Sequence, residues 1–178
     1  MTMSWGAEIG SMLSAKQLLR DLDEDQLWRH ESPNPPASES SIRQAESLLG
    51  FSFGAEYASF LNAADGWPAF LQEIDLFGCA DLTGEAAAAA RELLSYLESE
   101  AAERAGLLNG RCFPIGASSV GIDVIVMLED APGEPKVIWM AGVLIEGYES
   151  FLSFFRAMVS HNLDVAEDLR EQNGASDS

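Results

Sequence analysis

Residues Pro36–Trp67 read PASESSIRQAESLLGFSFGAEYASFLNAADGW, and this run carries two helix starts and two helix stops. Pro36 cannot continue a helix from upstream, while the Ser38 hydroxyl can accept one of the unpaired N–H groups of a first turn. Glu39 suits the positive end of the helix dipole. Ile42, Ala45, Leu48 and Leu49 recur at helical spacing, Arg43, Gln44, Glu46 and Ser47 face away, and Gly50 is the expected stop. Phe51 and Phe53 then read as an extended connector. Tyr57, Phe60, Leu61 and Ala64 repeat at helical spacing, and Asp65-Gly66 supplies a left-handed turn to end the second helix. Pattern alone predicts two short helices with a buried elbow.

Upstream, Glu31–Pro36 (ESPNPP) holds three prolines and predicts an extended linker. Ser14, with Gln17 three residues on, predicts the cap of a helix whose Ala15, Leu18, Leu19 and Leu22 share a face through to about Trp28. Asp21, Asp23, Glu24 and Asp25 fall on its solvated side, and Met1–Gly10 reads as a loose leader. Downstream, Ile74, Leu76 and Phe77 predict a strand ending at Gly78, and Thr83 or Gly84 opens a long alanine-rich helix to Ala105. Strands follow at Cys112–Ile115, Asp123–Leu128, Pro135–Met140 and Val143–Ile145, the second and third as continuous apolar runs that predict central strands covered on both faces or at least heavily packed. An antiparallel meander with helices on one side is the natural architecture. From Tyr148, the residues Phe151, Leu152, Phe155, Met158 and Val159 give the most regular amphipathic helix; Leu163–Gln172 can add a further polar helix, with Gly174–Ser178 frayed.

Taken in order, Pro36, Ala37, Ile42, Glu46, Leu49, Gly50, Tyr57, Phe60, Leu61, Gly66 and Trp67 resemble the amino-terminal signature of the SUKH superfamily. That group includes the yeast cell-wall assembly regulator and many bacterial immunity proteins that neutralise secreted toxins. Phe53-Gly54 stands where the family usually has Leu-Pro, and Asp65-Gly66 where Asn-Gly is usual; both can perform the same backbone task. The segment Gly147–Phe155, GYESFLSFF, resembles the family's carboxy-terminal aromatic helix. The resemblance implies an α+β fold, a mostly antiparallel sheet of about four to six strands packed against several helices. It places the SUKH-like domain at 36–163 with a helical insertion near 85–105, either a variable part or a lid over the sheet. Residues 1–35 then form a leader, helix and Pro-rich linker packing on the domain, and 164–178 a polar, partly disordered extension.

With 47% hydrophobic residues in 178 and a mean hydropathy of +0.01, the chain reads as one soluble domain. No apolar run is long enough to span a bilayer and the amino terminus has no signal-peptide pattern, so a cytoplasmic protein is expected. Cys79 and Cys112 make no disulfide framework and read as small buried hydrophobes. Twenty-nine Asp and Glu against 10 Lys and Arg give a net charge of -19. Such a charge repels nucleic acid and anionic membrane and steers in a basic partner, though solubility alone also accounts for it.

Catalytic patterns are missing. His30 and His161 are the only histidines, too few for a His-rich metal site, and His161 reads as a dipole partner near a helix end. Gly116–Gly121, GASSVG, fails the nucleophile elbow because Val120 takes the second glycine position, and it reads as a structural turn. No enzyme activity, cofactor or metal is expected.

The resemblance implies an immunity protein that occludes the active site of a cognate toxin, expected to be a basic nuclease domain, with its acidic surface. The alternative is a non-enzymatic regulatory interaction module of the same family. From exposure and charge, the candidate partner-binding residues are Asp65, Trp67, Glu73 and Asp75 near the first turn, with Glu129, Asp130 and Glu134 on a hairpin loop. Trp67 can equally be core, as an aromatic leaving a helix turn often is. No direct contact with nucleic acid or membrane is expected, and the oligomeric state stays open.

Overall fold

The computed structural model describes residues 4–176. Ser38 Oγ accepts from Ser41 N at 3.1 Å and opens α2 (Glu39–Leu49); Gly50, at φ 62°, closes it. The second helix of the pair, α3, spans Gly54–Leu61, and the chain turns at Gly66 (φ 82°) into the sheet. The proline linker is extended and tied to that turn: Asn34 N donates to Gly66 O, Asp65 N to Pro35 O, and Ala37 N to Leu61 O. The elbow predicted from the sequence is therefore present, with both its ends pinned.

Six antiparallel strands pair in chain order: β1 (Trp67–Leu71), β2 (Ile74–Leu76), β3 (Arg111–Ser118), β4 (Asp123–Glu129), β5 (Lys136–Ala141) and β6 (Leu144–Tyr148). The fold is α+β, as expected. Helices, however, cover both faces of the sheet, not one. Val124 to Leu128 are all buried, which requires cover on each side. The 85–105 segment lies on one face, with Leu93, Leu94 and Leu97 over Val124 and Met140. On the other face Trp139 meets His161 edge-on at 5.8 Å. This segment is thus a lid, and it is broken: α4 (Cys79–Leu82) precedes α5 (Glu85–Ser95) and α6 (Ser99–Arg104). No Gly or Pro marks the break at Tyr96–Glu98, so the sequence pattern runs through it.

The last helix, α7, runs without interruption over Phe151–Ser176, so Leu163–Gln172 is a continuation and not a separate element. Tyr148 belongs to β6, and His161 sits mid-helix against Trp139, which removes its reading as a helix-end cation. Asp177 and Ser178 lie outside the described residues.

Trp5–Leu22 forms α1, so residues 5–10 are helix and not loose leader; Met1–Met3 lie outside the described residues. Ser14 is no cap, because its Oγ donates to Gly10 O inside the helix. Trp5 is buried against Phe60, Phe151 and Phe155, and its Nε1 donates to Ser59 Oγ at 2.7 Å. The bonds from Arg156 to Glu8, Asn162 to Met12 and Asn173 to Leu22 show α1 and α7 running parallel. At their far ends Leu19, Ala166 and Leu169 make a second small core. Helix α1 stops at Leu22, and Asp23, expected in solvent, is buried. Burial alone would push its carboxyl up, but donors from Leu27, His30 and Trp28 outweigh it and hold the group below the usual range.

Candidate functional site

The seven candidate residues divide into three groups, and most of them hold the fold. Trp67 is fully buried, with Nε1 donating to Glu31 O at 3.0 Å, so it is core and presents nothing to a partner. Asp65 is half-buried and accepts from Cys79 N at 2.7 Å, anchoring the turn to the start of α4. Burial, with Asp65 alongside, pushes the Cys79 thiol up to about 12, which keeps it protonated and inert. Cys112, by contrast, is exposed.

Glu73 and Asp75 flank Arg29, at 3.4 and 2.8 Å. Asp75 Oδ1 also accepts from Ala69 N at 2.7 Å. Ala69 has φ 50°, a left-handed conformation that strains a residue with a Cβ, and the β1–β2 register shifts across it. Its carbonyl accepts from Lys16 Nζ, so a buried lysine and Asp75 clamp the strained peptide from both sides.

Burial lowers the Lys16 amine from its ordinary 10.5 to about 8, and the Glu31 charge opposes that shift only in part. Between those values the unfolded chain keeps a proton that the folded chain has released, so this group adds stability as pH rises. Below about 8 both states are protonated and the penalty is fully present. The stability of the wild type relative to Lys16→Met should therefore rise by up to about 3 kcal/mol between pH 8 and 10.5. Urea unfolding of both chains at the two pH values checks this, and a difference that does not change with pH contradicts it.

The third group lies around the β4–β5 connection. Glu129 is 3.9 Å from Arg111, and Asp130 is 3.0 Å from Lys136. Glu134 accepts from Ala55 N and Glu56 N at 3.0 and 3.2 Å, capping α3 from a loop far away in the chain. Glu129, Asp130 and Glu134 are exposed at the β4–β5 connection, whereas Glu73 and Asp75 are paired with Arg29 at the β1–β2 turn. Ser118 Oγ accepts from Val120 N and Gly121 N, so the GASSVG segment is a structural turn. Among the described residues no group of three or more His, Cys, Asp or Glu is placed to hold a metal ion, and no helix is long and apolar enough to cross a membrane.

One surface escaped the sequence reading. Val120, Ile122 and Val143 are exposed on the β3–β4 and β5–β6 turns, Leu144 and Ile145 at the start of β6, and Tyr96 stands out at the α5–α6 break. Val143–Ile145 reads as a strand in sequence, although Gly121 and Gly142 beside these residues signal turns that push apolar side chains outward.

The geometry defines an α+β scaffold: an acidic six-stranded meander between two helical layers, its candidate carboxylates largely committed to backbone N–H groups and ion pairs. The profile of the SMI1 / KNR4 family (SUKH-1) matches residues 36–157. The chain belongs to this family. A comparison with curated proteins found no significant match. The matched span leaves out α1 and the distal part of α7, the two segments that pack on each other.

Proposed function

We propose that this protein is an immunity protein that binds a cognate secreted bacterial toxin and neutralises it. The target is a basic nuclease domain whose active site the acidic surface occludes. The observation that carries this reading is membership of the SUKH family, which includes toxin-immunity proteins. The net charge of -19 supports a basic target, because opposite charge raises the rate of capture of a toxin that must be stopped before it acts. Carboxylates already fixed by backbone donors, such as Glu134, present oriented negative charge at little further cost in side-chain entropy.

The test is co-expression with the toxin domain of any large secreted protein encoded beside this chain. Growth restored by the wild-type chain, and not by an unrelated acidic protein, is the expected result. Unrelieved toxicity with the chain folded and abundant overturns the reading and favours a regulatory interaction module.

A further inference from the structure

Beside the α5–α6 break lies a cleft of about 240 Å³, lined by Leu93, Leu94, Tyr96, Leu97, Ile122 and Met140. Its wall is almost wholly apolar, and the residues at its mouth are open to solvent: Tyr96 is 74% exposed and Ile122 57%. Across the Leu97–Glu98 and Gly142–Val143 steps is a second recess of about 460 Å³, lined by Glu98, Glu100, Ala101, Arg104, Val143 and Leu144. Arg104 is paired with Glu100 at 2.5 Å. Among the described residues nothing pairs with the side-chain carboxylates of Glu98 and Glu103, and both are exposed. An apolar socket thus adjoins a recess with surplus negative charge.

Exposed apolar side chains grouped at one place on so acidic a chain call for cover. A second copy is a poor cover, because it would set Glu98, Glu100 and Glu103 against their own kind on a chain of net charge -19. A partner segment that carries an apolar anchor next to Lys or Arg satisfies both recesses at once, the anchor filling the socket and the cation meeting Glu98. Resting on the immunity reading for its biological setting, we infer that the α5–α6 elbow and the two adjoining hairpin tips form the docking surface for a basic, aromatic-anchored segment of the partner protein. Of the six carboxylates read from the sequence, none lines either cavity, and only Asp130 comes close, sharing a further recess with Arg104 and Leu144.

The test uses the full chain and the synthetic peptide Lys-Arg-Trp-Lys-Arg, titrated by methyl-resolved NMR, with Glu-Glu-Trp-Glu-Glu as control. Shifts confined to the methyls of Ile122, Val143, Leu97 and Leu144, absent with the acidic control, are expected. Ile122→Asp and Glu98→Lys, both at exposed positions that leave the core intact, should each weaken the basic peptide about tenfold with unchanged thermal stability. Shifts elsewhere, no shifts, or binding that survives both substitutions overturns the inference. Concentration-dependent self-association abolished by Ile122→Asp overturns it too, since the face would then be a homodimer contact. The same variants are carried into complexes with the inactivated toxin domain. A toxin complex insensitive to both substitutions removes this docking surface and leaves the immunity reading standing. Peptide binding at the elbow with no toxin complex removes the immunity reading and leaves the surface.

Discussion

Gly66→Ala is expected to destabilise the fold far more than Gly50→Ala, by about 4 kcal/mol or more. A Cβ at this position would lie 2.4 Å from Gly78 N and 2.7 Å from Leu76 O, both backbone atoms that cannot swing aside. The opposing Gly78 is equally tight, with its own Cβ position 2.3 Å from Asp65 O. The two glycines therefore let the helix-exit turn lie directly on the end of β2, where Asp65 anchors α4. Alanine at φ 82° adds conformational strain to this clash. Together the loss should reach about 4 kcal/mol or more, a large fraction of the roughly 5–15 kcal/mol that holds a domain folded. Gly50 is the internal control: it also has positive φ (62°), but its Cβ would meet nothing within 4 Å. Gly50→Ala should cost only about 1–2 kcal/mol. Urea unfolding monitored by circular dichroism separates the two, and a Gly66→Ala chain within about 1 kcal/mol of wild type contradicts the packing described.

Trp5→Ala is expected to cost about 3–5 kcal/mol, the range for removing a buried large aromatic. Trp5 is 3% exposed, with ring centroids 5.3 Å from Phe60, 5.6 Å from Phe151 and 5.2 Å from Phe155. These neighbours belong to α3 and α7, so a void here can close only by moving whole helices. Ser59 Oγ also loses the indole donor. A loose leader would make the same substitution neutral. Chemical denaturation therefore decides between the two descriptions of the amino terminus: an unchanged midpoint would detach α1 from the core.

What could be read from the chain depended on how local the governing chemistry is. The caps at Ser38 and Gly50, the spacing of Tyr57, Phe60 and Leu61, and the apolar runs of β4 and β5 act within a few residues, and each appears where the pattern put it. Trp5 was opaque because its partners lie more than fifty residues away, while Gly6 and Gly10 weaken the local helical signal. Cover on both sheet faces was signalled by the continuous apolar runs of β4 and β5, but which segments supply it follows from how α5 and α6 fold back, which no periodicity encodes.

The candidate site was less legible for the same reason. A carboxylate at Glu134 looks like hairpin-tip charge in sequence, yet it caps a helix 79 residues earlier. Asp75 likewise serves Ala69 and Arg29 in three dimensions. Charge count identified an acidic protein; it could not tell carboxylates that build the fold from those left for a partner. Exposed apolar side chains at turn tips carried the stronger signal, and their strand-like composition concealed it.

On the function proposed above, this SUKH-family chain captures a basic toxin domain. Isothermal titration of the purified chain with the inactivated form of any toxin domain encoded beside it, repeated at rising salt, tests this capture. A tight complex is expected, its affinity falling steeply as salt screens the opposite charges. A folded chain that gives no heat of binding at low salt, or a complex whose affinity ignores salt, would contradict it.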